Sequence, residues 1–217
     1  MTENQIDNMD ALLARYVAGS LPKPIEVLVA SHLELCAPSR AIARALEAAA
    51  GEEIETETPL ALSDREAMLA AVFGSAPAQI RLGVRDRAPS GEMPLPLQDF
   101  IGHSIETIPW KTKLPGYREY DLGEVDGFHA QMLWIKPGRK MPAHTHEGVE
   151  LTLVVDGAFR DNQGYFGRGD ISIGDESLDH RPIVASDVPC VCFAITDGGL
   201  RMTGSLYQRI GDILGAS

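Results

Sequence analysis

Two grammars of apolar spacing divide this chain. Over residues 8–73 apolar side chains return every three or four positions, the period of one helical face. In DALLARYVAGSL they fall at Leu12, Leu13, Tyr16, Val17 and Leu21, with Asp10 expected as N-cap and Gly19 as the stop. PKPIEVLVASHLELC repeats the pattern with Ile25, Leu28, Val29, His32, Leu33 and Cys36 on about one face. Pro38 is expected to break that run and Ser39 to cap the next helix. SRAIARALEAAA is rich in strong helix formers and should end at Gly51. The acidic EEIETETP reads as a solvated connector. Ser63 and Glu66 then make an S-x-x-E capping box for a fourth helix, SDREAMLAAVFG. Packing among the helices is expected through Leu13, Val17, Leu28, Val29, Leu33, Ile42 and Leu46.

From about residue 98 the spacing shortens to strands between turns: Trp110–Leu114, Tyr117–Leu122, His129–Ile135, Val149–Val155, Ala158–Arg160, Asp170–Ile173 and Val191–Thr196. Many short strands with Gly-rich turns predict a β-sandwich or barrel. Between the two grammars, residues 76–97 scatter Pro, Gly and charge in the manner of a linker. A linker of that kind would let the halves move relative to each other. The expectation is an α + β chain of two domains: a small helical bundle over 1–75 and a barrel over 98–217.

Composition adds limits. The chain has 217 residues, 44% of them hydrophobic and 23% charged, with a net charge of −12. Such acidity argues against direct nucleic-acid binding, which needs clustered Lys and Arg. It permits a basic protein partner. No run approaches the roughly 20 apolar residues of a membrane span, and the polar, acidic start lacks the features of a secretory signal. A cytoplasmic protein is expected. Three cysteines, Cys36, Cys190 and Cys192, give no disulfide framework. Cys190 and Cys192 lie in the apolar run PCVCFAIT and read as buried strand residues.

The chemistry concentrates in GRKMPAHTHEGVELTLVVDG, residues 138–157. His144 and His146, two apart on one strand, share a face. Glu150 shares their parity if the strand runs on without a bulge. His180, in DESLDHRP, is placed to add a fourth ligand. Three imidazoles and a carboxylate suit a divalent ion: zinc, iron, manganese or nickel. His103 and His129 lie outside the pattern.

These residues resemble the cupin family. Its first motif is Gly, five residues, His-x-His, three residues, Glu, six residues, Gly. Gly138, His144, His146, Glu150 and Gly157 stand at those spacings. Of the second motif, Gly169-Asp170 and His180 remain, without the usual Pro-x-Gly before the His or the Asn after it. The resemblance implies a double-stranded β-helix, or jelly-roll, barrel.

Nearly the whole chain is similar to the ChrR-type anti-sigma factors, through DALLARYVAGSL, SHLELC, ELTLVVDGAFRD and FGRGDISIGDESLDH. That likeness implies a helical domain that wraps an extracytoplasmic-function sigma factor. It also implies a zinc-binding cupin domain needed to respond to singlet oxygen or organic peroxide. The apolar stripe of the fourth helix, Met68, Leu69, Val72 and Phe73, would then grip the sigma factor. His144, His146, Cys190, Cys192 and Met132 would be targets for oxidants. Zinc-binding anti-sigma domains carry H-x-x-x-C-x-x-C and an upstream His. Here His32 and Cys36 remain, Ser39 replaces the second Cys, and Asp7 stands near the upstream position. This second site is therefore expected to hold zinc weakly or not at all, because a closed zinc site needs four ligands. Two other readings of the barrel stay open on the residues alone: a metal-dependent cupin dioxygenase, and a sensor that binds a small ligand at the metal. The metal's identity and the oligomeric state are open too.

Overall fold

The structure is a computed structural model that describes residues 8–59, 61, 63–76 and 92–205. Five helices are present among them: α1 (Met9–Val17), α2 (Lys23–Leu35), α3 (Ala37–Thr56), α4 (Arg65–Gly74) and α5 (Leu95–Ile101). Eleven strands follow: β1 (Lys111–Leu114), β2 (Tyr117–Val125), β3 (Phe128–Ile135), β4 (His144–His146), β5 (Glu150–Asp156), β6 (Ala158–Arg160), β7 (Tyr165–Gly167), β8 (Ile171–Gly174), β9 (Ile183–Val184), β10 (Cys190–Thr196) and β11 (Leu200–Met202). None of the described helices is long and apolar enough to cross a membrane.

The strands form an antiparallel sheet of order β1-β2-β3-β10-β5-β8, faced by the smaller sheets β7-β6-β9 and β11-β4. Strand parity explains the two faces of the large sheet. On β10, Val191, Phe193 and Ile195 join one buried cluster while Cys190 and Cys192 join another. On β5, Leu151, Leu153 and Val155 go with the first and Val154 with the second. The first cluster continues into Leu12, Leu13, Ile25, Leu28 and Val29 of the helices. Both faces of β10 are therefore covered, which is why CVCFAIT reads as an unbroken apolar run. Cys190 and Cys192 are buried as expected, with their Sγ atoms 3.5 Å apart.

The helices thus cover the outer face of the sheet, in direct contact with it. Residues 77–91, the centre of the expected linker, lie outside the described residues. Helix α2 is the main bridge. Its N-terminus has no side-chain cap of its own, and the Lys23 amide instead donates to Asp126 Oδ2 at 3.0 Å. Asp126 and Gly127 both have positive φ and close the tight β2–β3 hairpin. At the other end Glu34 Oε2 accepts from the Leu95 amide and so caps α5. Phe100 of α5 meets Phe193 of β10 edge to face, with ring centroids 6.1 Å apart.

Several helix boundaries differ from the sequence reading. Asn8, not Asp10, caps α1, accepting from the Ala11 amide. Pro38 does not separate α2 from α3; it sits in the first turn of α3, where its missing N–H costs nothing. Ser39 is consequently inside α3 and buried rather than a cap. Helix α3 runs through Gly51 to Thr56 and takes in much of the acidic connector. Asp64, not Ser63, caps α4 by accepting from the Ala67 amide at 2.9 Å. Ile42, expected in the core, is 45% exposed.

Candidate metal centre

His144 and His146 lie on β4, both buried. The strand does not continue to Glu150 as the sequence reading allowed. Residues 147–149 turn away, with the Val149 amide donating to Asp197 Oδ1 at 2.6 Å, and Glu150 opens β5 in a different sheet. Glu150 still reaches the interior because it shares parity with Thr152 and Val154 on β5. His180 is brought in by an isolated bridge to His144, each amide donating to the other's carbonyl at 3.0 Å.

One ligating atom from each of His144, His146, Glu150 and His180 lies within 4.8 Å of the others. The Nε2 atoms of His144 and His180 are 3.0 Å apart, and those of His146 and His180 are 3.2 Å apart. His146 Nε2 lies 3.3 Å from Glu150 Oε2.

Protonation follows from the fixed acceptors. His144 Nδ1 lies 2.8 Å from the Pro142 carbonyl, which can only accept, so Nδ1 carries the proton and Nε2 a lone pair. His180 Nδ1 donates to Asp161 Oδ2 at 2.7 Å, again leaving a lone pair on Nε2. Two lone pairs facing each other at 3.0 Å repel unless a cation lies between them. A divalent ion resolves the conflict, so the donor set fits a metal. Burial pushes the His144 and His146 pKa values down to about 4, so both rings are neutral at pH 7. Burial, reinforced by Asp161, lifts Glu150 to about 7. The His146–Glu150 contact is therefore no ordinary ion pair. As a pair of candidate ligands, it would be stabilised by a metal's positive charge.

Asp161 was missed in the sequence reading. Its fully buried carboxylate orients His180 in the carboxylate–histidine arrangement common behind metal ligands. No spacing rule points to it; only the fold brings it next to His180. His103 and His129 stay outside the cluster. His103 packs edge-on against Tyr120, and His129 sits 3.5 Å from Asp121 and 3.6 Å from Glu124.

Beside the four residues lies a cavity of about 90 Å³. His144, Glu150, His180, Tyr117 and Cys192 line it with apolar neighbours that include Phe159 and Leu133. Met132 faces the other way, buried in the helix-side core. An oxidant in this cavity would meet Cys192, not Met132.

The second expected site looks different. His32 and Cys36 lie at the α2–α3 junction, and Ser39 Oγ is 2.8 Å from His32 Nε2 and 3.3 Å from Cys36 Sγ. Asp7 lies outside the described residues. Among the described residues, only the barrel cluster brings three or more such ligands together.

Comparison with known proteins gives a consistent picture. Residues 98–197 match the family described as "ChrR Cupin-like domain". The chain is 41% identical over 201 residues to the Anti-sigma-E factor ChrR of Cereibacter sphaeroides, covering 93% of each chain. Its structure is similar to one solved for Rhodobacter sphaeroides SigE in complex with the anti-sigma ChrR. That match has a TM-score of 0.71 and 40% identity, and covers 88% of this chain and 97% of that one.

Proposed function

The chain belongs to the ChrR family of anti-sigma factors with a cupin-like domain, and from that membership we propose that it sequesters an extracytoplasmic-function sigma factor. The observation that carries this reading is full-length similarity to a protein named an anti-sigma-E factor, including a match to a chain solved bound to SigE.

The physical support is α4. Met68, Leu69, Val72 and Phe73 are all exposed, Phe73 at 84%, and no residue of α4 is buried. Four large apolar side chains on one short helix are more than a monomer's surface usually shows. A helix of this kind gains by burying its face in a partner's groove. The net charge of −12 complements the basic surfaces with which a sigma factor meets DNA. The chain binds no nucleic acid itself on this reading, and it acts in the cytoplasm, where its partner works.

The barrel is the sensor. His144, His146, Glu150 and His180 hold a divalent ion, for which zinc is our assignment, and the ion ties β4, β5 and the His180 segment together. Singlet oxygen or an organic peroxide that damages a ligand or Cys192 loosens this tie and biases the helices toward release. The cavity beside the cluster favours a second reading of the same site, a small ligand or oxygen species bound at the metal.

Co-expression of the tagged chain with an extracytoplasmic-function sigma factor from the same cell tests the first statement. A stable complex on purification is expected. Recovery of the folded chain alone would refute sequestration.

A further inference from the structure

The α2–α3 junction holds a buried polar cluster that the proposed function does not use. Its hydrogen bonds can be assigned. The Gly169 carbonyl, 2.6 Å from His32 Nδ1, can only accept, so Nδ1 carries the proton. Burial lowers the His32 pKa, which keeps the ring neutral and leaves a lone pair on Nε2. Ser39 Oγ, at 2.8 Å, donates to that lone pair. The hydroxyl oxygen can then accept from the Cys36 thiol at 3.3 Å. Every donor in the chain Cys36–Ser39–His32–Gly169 is used once, and the direction is the same throughout.

This arrangement does not fit a zinc ion. A closed zinc site needs four strong ligands at about 2.0–2.3 Å. Here the described candidates are His32 Nε2 and Cys36 Sγ, and a serine hydroxyl bridges the two at hydrogen-bond distances.

The far end of the chain belongs to the barrel. Gly169 lies in the β7–β8 turn with φ at +94°, where its amide donates to Val154. A Cβ there would stand 3.0 Å from Leu35 Cβ of α2, so only glycine permits this approach. Helix α2 is therefore fastened to the barrel at both ends: Lys23 to the β2–β3 hairpin and His32 to the β7–β8 turn. The Arg40 guanidinium, donating to the Leu33 and Glu34 carbonyls, closes the α2–α3 corner around it.

We propose that Ser39, His32 and Gly169 form a metal-free hydrogen-bond relay, in which His32 is the positioning residue that locks the helices onto the barrel, at the place where zinc-binding anti-sigma domains carry their metal. The helices of this chain thus hold their shape without a second ion. One buried imidazole thus joins α2 to the β7–β8 turn of the barrel, beside the apolar contacts that the two share.

Two measurements on the purified full chain test this, and neither needs a sigma factor. The first is titration with cobalt(II), followed by absorbance. No thiolate-to-cobalt charge-transfer band is expected, whether or not the barrel takes up cobalt. A thiolate band that disappears in Cys36→Ser would overturn the metal-free relay. The second is hydrogen exchange of the peptides covering residues 33–40 and 165–171. His32→Phe keeps the bulk and loses both bonds, and it should raise exchange in both peptides about tenfold. His32→Gln can accept from Ser39 and donate to Gly169, so it should restore most of the protection. Unchanged exchange in His32→Phe, or no rescue by Gln, would contradict the positioning role. If His32→Phe fails to fold, Ser39→Val removes the relay hydroxyl alone; exchange over residues 33–40 should rise, and unchanged exchange there would contradict the relay.

Discussion

Glu150 sets the pH behaviour of the centre. Its folded pKa is raised to about 7 by burial and Asp161, so without a metal the proton stays on as pH falls below 7. A raised carboxyl pKa means that the protonated form is the one favoured in the folded site. A metal must displace that proton, while His144 and His146, lowered to about 4, do not compete until far more acid conditions. Metal affinity, measured by calorimetry, should therefore fall about tenfold from pH 8 to pH 6, the change expected for one proton with a pKa near 7. A flat profile over that window would mean that Glu150 is not a ligand. Asp161 acts one step further out. Asp161→Asn should weaken metal binding by about 10–100-fold, with the barrel's circular dichroism unchanged, because the amide no longer anchors the His180 tautomer. At this scale the sequence was informative for which four side chains cluster and silent for their support. Gly138, His144, His146, Glu150 and Gly157 stand at motif spacing. Asp161 and Gly169 gain their roles from contacts with residues 19 and 137 positions away, which no local pattern encodes.

At the scale of elements, the strands were more legible than the helix ends. Ala158–Arg160 and Val191–Thr196 are strands within a residue of expectation, because buried apolar runs and turns mark them. The straight strand from His144 to Glu150 was not found. Gly148 faces Asp197 so closely that a Cβ would lie 2.1 Å from its Oδ1, and the chain turns there. Helix ends went astray where two capping residues compete, as at Ser63 and Asp64, since a one-residue shift leaves the apolar stripe intact. Helix α4 carries the sharpest prediction here. Phe73→Asp should weaken sigma-factor binding by about 2 kcal/mol or more, as loss of a buried aromatic anchor does. Its thermal stability should hardly change, because an 84% exposed side chain supports nothing within the chain. Equal affinity for the wild type and the variant would remove α4 from the interface.

Across the whole molecule, a continuous apolar cluster from Leu12 to Phe193 joins helices and sheet. Periodicity marked the apolar face of each half, and it cannot reveal that a helix's buried face is completed by a sheet. That shared core gives a change in the barrel a physical route to the helices, with α2 as its middle member. The claim on which everything else depends is that this chain keeps a sigma factor from RNA polymerase. Run-off transcription with core polymerase, the sigma factor recovered with this chain and increasing amounts of the purified protein measures it directly. Transcript from a promoter specific to that sigma factor should fall to background as the chain reaches equimolar amounts. Undiminished transcript at a large molar excess of folded, metal-loaded chain would contradict the account.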